Sequence, residues 1–264
     1  ALVKAMFNDH SFRDEVSLAG VNSINWGRVM AQIVYFFTSA VALGAPHRPV
    51  SFSVPTGNFG DIFAGFAAAK MGLPIEKLVI ATNVNDILAR TLETGRYEVD
   101  KVVPTISPSM DIQVSSNFER LLFEMNDRDG ARTADDLLRF RATGRLDTDP
   151  DAFDRWIAPV FDAASVSDDE TLAEVARVYR DTGLLIDPHT ATGTVAARRL
   201  LGDRPMVTLA TAHPAKFAEA VVKAGFQGVP LPTHMDDLLE REERYTVLPA
   251  ELSAVQQFVA DNRR

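Results

Sequence analysis

The sequence predicts an α/β fold in which a parallel β-sheet is covered by helices on both faces, giving a three-layer αβα arrangement. Short apolar runs rich in β-branched residues alternate with longer segments of helical periodicity, and this alternation is typical of parallel sheets. The chain has 264 residues with 46% hydrophobic content, so it can bury a substantial core. We find no internal repeat and no low-complexity tract.

The first part of the chain supplies a helix and two strands of the predicted sheet. After a short helix and loop, a helix over 24–43 has apolar residues on nearly every face, among them Trp26, Met30 and Phe37. We therefore expect neighbouring elements to cover both of its sides. The elements that follow it are a strand at 50–54, a helix at 61–71, a strand at 77–81 and a helix at 85–94.

The middle of the chain is more charged. Residues 127–170 mix many charges with apolar residues at helical spacing, and we interpret them as a charged helical insertion made of two solvent-facing helices. The remaining elements are a short strand or loop at 111–114, helices at 117–125 and 169–181, a strand at 206–210, a helix at 214–224 and a polar helical tail from 231.

Residues 53–61, Ser-Val-Pro-Thr-Gly-Asn-Phe-Gly-Asp, join the strand at 50–54 to the next helix. A strand that runs into a Gly-containing turn and a helix start directs several backbone N–H groups to one point. That point lies at the positive end of the helix dipole and suits an anion such as phosphate. Gly57 and Gly60 permit the close backbone approach that such a site needs. A tight turn that binds nothing is the alternative, because Gly-rich turns are common in α/β folds.

The turn does not match the two best-known phosphate motifs. No Lys-Ser or Lys-Thr pair follows Gly60, as a nucleoside-triphosphate P-loop requires, and the pair Gly57 and Gly60 lacks the third glycine of the dinucleotide fingerprint. A nucleotide-dependent Rossmann enzyme is therefore disfavoured.

Five segments in order resemble threonine synthase, a member of the pyridoxal-phosphate (PLP) enzymes of the type II, or tryptophan-synthase β, fold. They are Asn-Ser-Ile-Asn-Trp-Gly-Arg at 22–28, Pro-Thr-Gly-Asn-Phe-Gly-Asp at 55–61, Ser-Pro-Ser-Met-Asp-Ile at 107–112, Asp-Pro-His-Thr-Ala-Thr-Gly at 187–193, and Thr-Ala-His-Pro-Ala-Lys-Phe at 211–217. The resemblance implies conversion of O-phosphohomoserine and water to L-threonine and phosphate by PLP-dependent β,γ-replacement. Two alternatives stay open: another type II PLP lyase or dehydratase, and a non-catalytic anion-binding fragment.

The resemblance also implies cofactor-binding residues. The turn would hold the cofactor phosphate through Thr56, Gly57, Asn58, Phe59, Gly60 and Asp61. Thr211 would hydrogen-bond the pyridine nitrogen, since a hydroxyl can donate to a neutral ring nitrogen. The alternative for Thr211 is a helix N-cap, a position where threonine is favoured.

Substrate contacts are expected from Asn22, Ser23, Asn25 and Arg28, which precede or begin the helix at 24–43. Ser23 is also a natural helix cap. Arg28 lies in an otherwise apolar segment, and a buried arginine needs an anionic partner. That partner is either a structural carboxylate or a substrate phosphate, which a guanidinium contacts in bidentate fashion.

Three other polar residues have a structural interpretation as well as a functional one. His189 follows Asp-Pro and has the residue type of a general acid or base, but histidines in such turns more often bond the backbone or pack. The same holds for His213. Asp111 is an isolated acid in an apolar neighbourhood, and we assign it a turn role.

The family holds PLP as a Schiff base on a lysine in a Phe-Lys-Asp setting, and no lysine of this chain has that setting. The lysines are Lys4, Lys70, Lys77, Lys101, Lys216 and Lys223. We therefore expect the carboxyl-terminal part of a threonine synthase, inactive alone, whose partner is the missing amino-terminal half. The predicted division is a PLP-binding α/β region at 1–126, the insertion at 127–170, and the remainder of the large domain with carboxyl-terminal helices at 171–264.

Charge and composition exclude several other classes. A formal net charge of −9 argues against a nucleic-acid partner, since phosphate backbones attract basic surfaces. The absence of cysteine excludes disulfides, thiolate nucleophiles and cysteine-based metal sites, and we expect no metal. The most apolar stretch, 29–43, is shorter than the ~20 residues that cross a bilayer, and no signal peptide is visible, so we expect a cytoplasmic protein without a membrane partner.

Overall fold

The structure is a computed structural model that describes residues 2–263. The chain divides into two compact units. The larger unit is Ser23–Pro230, and the smaller unit combines the residues up to Asn22 with those from Leu231 onward. The larger unit contains all of residues 127–170, and the three-segment division made from composition stays a prediction.

The main sheet of the larger unit is parallel and four-stranded. The strands in the described residues are β1 (Val50–Pro55), β2 (Ile75–Thr82), β3 (Arg96–Glu98), β4 (Arg145–Asp147), β5 (Phe161–Ser165) and β6 (Met206–Thr208). The sheet order is β5-β2-β1-β6, with every neighbouring pair parallel. Strands β3 and β4 form a separate antiparallel pair. The strands predicted at 50–54, 77–81 and 206–210 are confirmed.

Helices cover both faces of this sheet. The α-helices in the described residues are α1 (Leu2–Asn8), α2 (His10–Glu15), α3 (Trp26–Ala42), α4 (Gly60–Lys70), α5 (Ile87–Thr94), α6 (Phe118–Met125), α7 (Gly130–Thr143), α8 (Pro150–Trp156), α9 (Asp168–Thr182), α10 (Pro188–Arg199), α11 (Ala218–Lys223) and α12 (Leu252–Asn262). Residues Pro108–Met110 and Pro214–Phe217 form 3₁₀ turns.

The alternation of side chains along β1 explains the three layers. Val50, Phe52 and Val54 point to one face, where Phe52 packs on Phe36 of α3 with ring centroids 4.8 Å apart. The small Ser53 points to the other face, where its hydroxyl donates to the carbonyl of Gly193 in α10 at 2.7 Å. The predicted three-layer αβα arrangement is confirmed.

Two glycines bring helices close to the sheet. A Cβ added to Gly65 of α4 would lie 2.6 Å from Phe36 Cε1 and 2.8 Å from Leu78 Cδ2. A Cβ added to Gly193 of α10 would lie 2.9 Å from Thr208 Cγ2. Helix α4 follows the carboxyl end of β1, and Gly193 in the first half of α10 lies beside Pro55 and Thr208, the last residues of β1 and β6. Both helices therefore begin near the carboxyl ends of the strands, where ligand-binding loops of α/β folds gather.

Helix α3 is covered on one side only within the described residues. Val29, Phe36 and Ala40 are fully buried, but Met30 and Val34 are each 55% exposed. The expectation that neighbours cover both sides is therefore wrong for residues 2–263. The apolar periodicity identified the helix, but it could not show that packing against α4 uses one face.

Residues 127–170 contain two strands in addition to the two predicted helices. The two predicted helices are present as α7 and α8, but the sequence interpretation missed β4 and β5. Strand β5 has the sequence Phe-Asp-Ala-Ala-Ser and pairs with β2 at the edge of the main sheet. A strand this short, without β-branched residues, carries no periodic signal that separates it from a helix end.

The smaller unit contains α1, α2 and α12. Within it, the Gln256 side chain donates to Asp9 at 2.9 Å, and Arg263 contacts Glu15 at 3.2 Å. The polar tail was predicted to be helical from 231, but α12 begins only at Leu252. Among residues 2–263, no helix combines the length and apolar character needed to cross a membrane.

Candidate anion-binding site

The turn between β1 and α4 has a fixed backbone shape. The Thr56 amide extends the sheet by donating to Ala81 O at 2.8 Å, and the Thr56 hydroxyl donates to Val54 O at 2.6 Å. Phe59 precedes α4 in the left-handed region, with φ 61° and ψ 7°. This conformation is unfavourable for a bulky residue, and the buried ring holds it in place by packing on Phe118, at a centroid distance of 5.5 Å.

The carbonyl groups of the turn are held by a neighbouring segment. Ser115 Oγ donates to Gly57 O at 2.7 Å. The backbone amide and the side-chain amide of Asn117 both donate to Asn58 O, at 3.0 Å and 2.9 Å. In a trans peptide the next N–H points opposite to the carbonyl. The amides of Asn58 and Phe59 are therefore directed away from this segment.

These amides are available to a ligand. Within residues 2–263, the N–H groups of Asn58, Phe59 and Gly60 have no hydrogen-bond acceptor, and no side chain caps α4. Unpaired amides at a helix start carry the positive end of the helix dipole, which favours an anion. The prediction of an anion-binding turn matches this geometry.

Two cavities adjoin the turn. The smaller, of about 260 Å³, is lined by residues 55–62 together with Ser23, Arg28, His189, Thr211 and Lys216. The larger, of about 620 Å³, lies against α3 and the residues after β6. Arg28, Gln32, Asp61 and Thr211 line both cavities, so the two volumes share one wall.

The structure brings most of the predicted site residues together. The turn residues Thr56–Asp61, Thr211, Ser23 and Arg28 all line the smaller cavity, whereas Asn22 and Asn25 do not. Asn25 caps α3 through its side-chain oxygen, which accepts from Gly27 N at 2.8 Å. Asn25 is thus the helix cap, and the suggestion that Ser23 has this role is wrong.

Two other expectations are also resolved. Arg28 was expected to be buried, but it is exposed on the cavity wall because it lies on the uncovered side of α3. Thr211 is exposed and does not cap the following 3₁₀ turn, since His213 accepts from Ala215 N at 3.2 Å there. The N-cap alternative for Thr211 is therefore excluded, and Thr211 lines the cavity without a side-chain hydrogen bond to the described residues.

Asp61 is the titratable group whose pKa is most altered in this site. Its Oδ1 atom is buried and has no hydrogen-bond partner among the described residues. Desolvation raises the pKa of this carboxyl from 3.8 to about 6. A carboxyl with this pKa changes charge just below neutral pH, beside the unpaired amides of the turn.

His189 bonds the backbone. Its Nε2 atom accepts from Ser109 N at 3.2 Å, and its Nδ1 atom lies 2.9 Å from Asp187 Oδ1. Asp187 also caps α10 by accepting from the amides of His189 and Thr190. Asp111 accepts from Thr105, Asn83 and Asn85, in agreement with its predicted turn role.

Sequence reasoning missed the part played by residues 105–117. Polar and apolar residues alternate from 105 to 115, with the polar ones at odd positions, and the alternation ends at Ser116. The polar residues include Ser107, Gln113, Ser115 and Asn117. This alternation is the signal that could have identified the segment. The usual interpretation places the polar face in solvent, but these four polar residues are buried and Val114 is 54% exposed. Ser115 and Asn117 are buried because they bond Gly57 and Asn58 in the turn, whereas Ser107 accepts from Asn83 and Gln113 accepts from Arg90.

The described residues provide no metal site. No group of three or more histidine, cysteine, aspartate or glutamate residues in this part of the chain could hold a metal ion. The unpaired donors of the site are amides and a hydroxyl, which suit an anion rather than a cation.

Comparison with known proteins identifies close relatives. A protein-family model described as "Threonine synthase, C-terminal" matches residues 190–259. Threonine synthase from Pseudomonas aeruginosa is 55% identical over 266 residues, covering 99% of this chain and 56% of that protein. Threonine synthase from Saccharomyces cerevisiae is 43% identical over 245 residues, covering 84% of this chain and 47% of that protein.

Solved structures agree with these relatives. The crystal structure of PLP-bound threonine synthase from Brucella melitensis matches with a TM-score of 0.94 and 53% identity, covering 100% of this chain and 57% of that one. The yeast threonine synthase structure matches with a TM-score of 0.85 and 36% identity, covering 99% of this chain and 56% of that one. The chain thus spans about half the length of the proteins that it matches. On identity and fold together, the chain belongs to the threonine synthase family.

Proposed function

We propose that this chain provides the cofactor-phosphate site of a threonine synthase, which converts O-phosphohomoserine and water to L-threonine and inorganic phosphate. The observation that carries this proposal is the row of unpaired amides at Asn58, Phe59 and Gly60 in front of α4. The proposed cofactor is PLP, and the proposed location is the cytoplasm.

The residues of the turn fit a phosphate group. Converging amides at a helix start supply donors and a favourable dipole, and phosphate oxygens accept several such bonds. Gly57 has no space for a side chain, because a Cβ there would lie 2.5 Å from Ser109 O. Bound PLP supplies electron withdrawal that lets the α and β protons of an amino-acid substrate leave. The contribution of the turn is to bind and orient the phosphate.

Thr211 is the proposed partner of the cofactor's ring nitrogen. Its exposure on the cavity wall and its lack of a capping role support this assignment. A hydroxyl donates to a neutral ring nitrogen, whereas a carboxylate would keep that nitrogen protonated. Thr211 therefore orients the ring without increasing its positive charge.

Arg28 and Ser23 are the proposed contacts to the substrate phosphate. Both line the smaller cavity, and a guanidinium matches phosphate oxygens in bidentate fashion. Asn22 and Asn25, which do not line this cavity, stay predicted substrate residues without support from its lining. Asn25 acts at least in part through α3, since it caps the helix whose first turn carries Arg28.

The proton-transferring amine is proposed to come from outside this chain. Among the described lysines, Lys216 is the one that lines the smaller cavity, and it lies in a 3₁₀ turn without the Phe-Lys-Asp setting. The matched relatives are longer than this chain. We therefore propose that the partner is the amino-terminal part of a threonine synthase, and that this chain alone binds PLP without turnover.

The test compares PLP with pyridoxal, which lacks the phosphate, by equilibrium dialysis against the whole chain. We expect PLP to bind at least about tenfold more tightly than pyridoxal, since its phosphate accepts several charge-assisted hydrogen bonds that pyridoxal cannot form. Gly57→Ala should abolish this preference through its clash with Ser109 O. Gly130→Ala is the control, because a Cβ there meets nothing within 4 Å. Equal binding of the two ligands, or an unaffected Gly57→Ala variant, would contradict the proposal.

A second measurement concerns turnover. With the amino-terminal part of a relative supplied in trans, we expect phosphate release from O-phosphohomoserine. Preferential turnover of serine or threonine would instead favour the lyase or dehydratase alternative. No turnover, combined with PLP binding, would favour the non-catalytic anion-binding alternative.

A further inference from the structure

The loop at Ser107–Met110 lies directly against the anion-binding turn. The contact is between backbones, since Ser109 O occupies the space that a Cβ of Gly57 would need. Ser109 also lines the smaller cavity together with the turn. Any displacement of this loop would therefore change the backbone contact between Ser109 and Gly57 that holds the turn in place.

The two ends of the loop are tied to the carboxyl end of β2. Asp111 accepts from Thr105 N at 2.9 Å and from Asn83 Nδ2 at 2.8 Å. Asn83, which follows β2, also donates to Ser107 Oγ at 3.0 Å. These bonds fix the base of the loop but do not reach Ser109, which lies at its tip.

The tip is held by a chain of two hydrogen bonds from α10. The Ser109 N–H donates to His189 Nε2 at 3.2 Å. An accepting Nε2 in a neutral ring places the proton on Nδ1, which donates to Asp187 Oδ1 at 2.9 Å. His189 and Asp187 are 3% and 0% exposed, so water does not compete with the bond between these two side chains. Phe217 packs on the imidazole with a centroid distance of 4.4 Å.

We propose that His189, oriented by Asp187, is a positioning residue that holds the Ser109 loop against Gly57 and so keeps the turn in its phosphate-binding shape. The inference rests on the proposed PLP site and adds to it a residue from a different helix. Its specific requirement is a hydrogen-bond acceptor at the position of Nε2. The imidazole acts through Ser109 and Gly57, and it needs no contact with the reacting atoms.

A matched pair of substitutions tests this requirement. His189→Gln places an acceptor near the Nε2 position, whereas His189→Asn places its polar group near the Nδ1 position only. The measurement is the preference for PLP over pyridoxal, expressed as the ratio of the two dissociation constants. We expect His189→Asn to lower this ratio by about tenfold, the equivalent of one lost buried hydrogen bond, and His189→Gln to keep it within about threefold of the parent. His47→Asn, at an exposed histidine, is the control.

The outcomes separate the two proposals. If the parent chain itself shows no preference for PLP, the proposed function fails. If the parent shows the preference and His189→Asn retains it, or if His189→Gln and His189→Asn lose it equally, the positioning role is overturned. Nitrogen chemical shifts of the His189 ring in the parent chain provide a test that needs no variant to fold. We expect the Nδ1-protonated tautomer, and the Nε2-protonated tautomer would overturn the inference.

Discussion

Replacing Asp61 by asparagine should make the protein more stable above pH 6, and the gain should disappear in acid. The Oδ1 atom of Asp61 is buried without a hydrogen-bond partner among the described residues, and desolvation raises the pKa of the carboxyl from 3.8 to about 6. Asparagine has nearly the same shape as the protonated acid but cannot ionise. The substitution therefore removes the cost of burying the charge.

The sign follows from the two pKa values. The folded protein holds the Asp61 proton more tightly than the unfolded chain does, so the contribution of Asp61 to the free energy of unfolding is highest below pH 3.8. It falls as the pH rises through about 6 and is then constant. The shift from 3.8 to about 6 corresponds to about 3 kcal/mol. Because the dipole of α4 favours the ionised form, we expect the measured gain to be at or below this figure.

The assay is urea unfolding of the parent and the Asp61→Asn variant at about pH 4 and about pH 8. The quantity compared between the two pH values is the free energy of unfolding of the variant minus that of the parent. The titration of all other groups cancels in this difference. Asp154→Asn on α8, where the side chain is exposed, is the control, and its difference should stay within about 0.5 kcal/mol at both values. An Asp61→Asn difference that does not change with pH, or that becomes less favourable as pH rises, would refute the reasoning.

Two further predictions concern the same region. Gly193→Ala should destabilise the protein by about 1–3 kcal/mol in urea unfolding, because the new methyl group would lie 2.9 Å from Thr208 Cγ2 and 3.0 Å from Pro55 Cγ. Gly202→Ala, where nothing lies within 4 Å, is its control, and equal effects of the two would contradict the prediction. Thr211→Val should weaken PLP and pyridoxal binding alike by about fivefold in equilibrium dialysis, because the proposed partner of its hydroxyl is the ring nitrogen and not the phosphate. A selective loss of PLP binding would instead place Thr211 at the phosphate.

The turn at 55–61 could be predicted because its information is local. A β-branched run, two glycines and the start of a helix determine the direction of the backbone amides over a few residues. Most helices and the strands β1, β2 and β6 were predictable for the same reason. Strand β5 was not, because Phe-Asp-Ala-Ala-Ser becomes a strand only by pairing with β2.

The polar residues of the site show most clearly which features the sequence alone could not predict. Ser115 and Asn117 contact Gly57 and Asn58 across about sixty residues of sequence, and no local pattern reports such a pairing. Arg28 was expected to be buried because the sequence around it is apolar, yet it lies on the side of α3 that the described residues leave uncovered. The burial of a side chain depends on which elements pack against it.

The sequence by itself determined the alternation of strands and helices, the turn that joins β1 to α4, and the resemblance to threonine synthases. These depend on backbone propensity, periodicity and short ordered motifs, which neighbouring residues encode. Only the tertiary structure decided that Ser107, Gln113, Ser115 and Asn117 are buried, that His189 bonds the Ser109 amide, and that the carboxyl of Asp61 is desolvated. The physical reason is that desolvation and hydrogen-bond partnership are properties of the assembled interior, where distant segments replace solvent around each polar group.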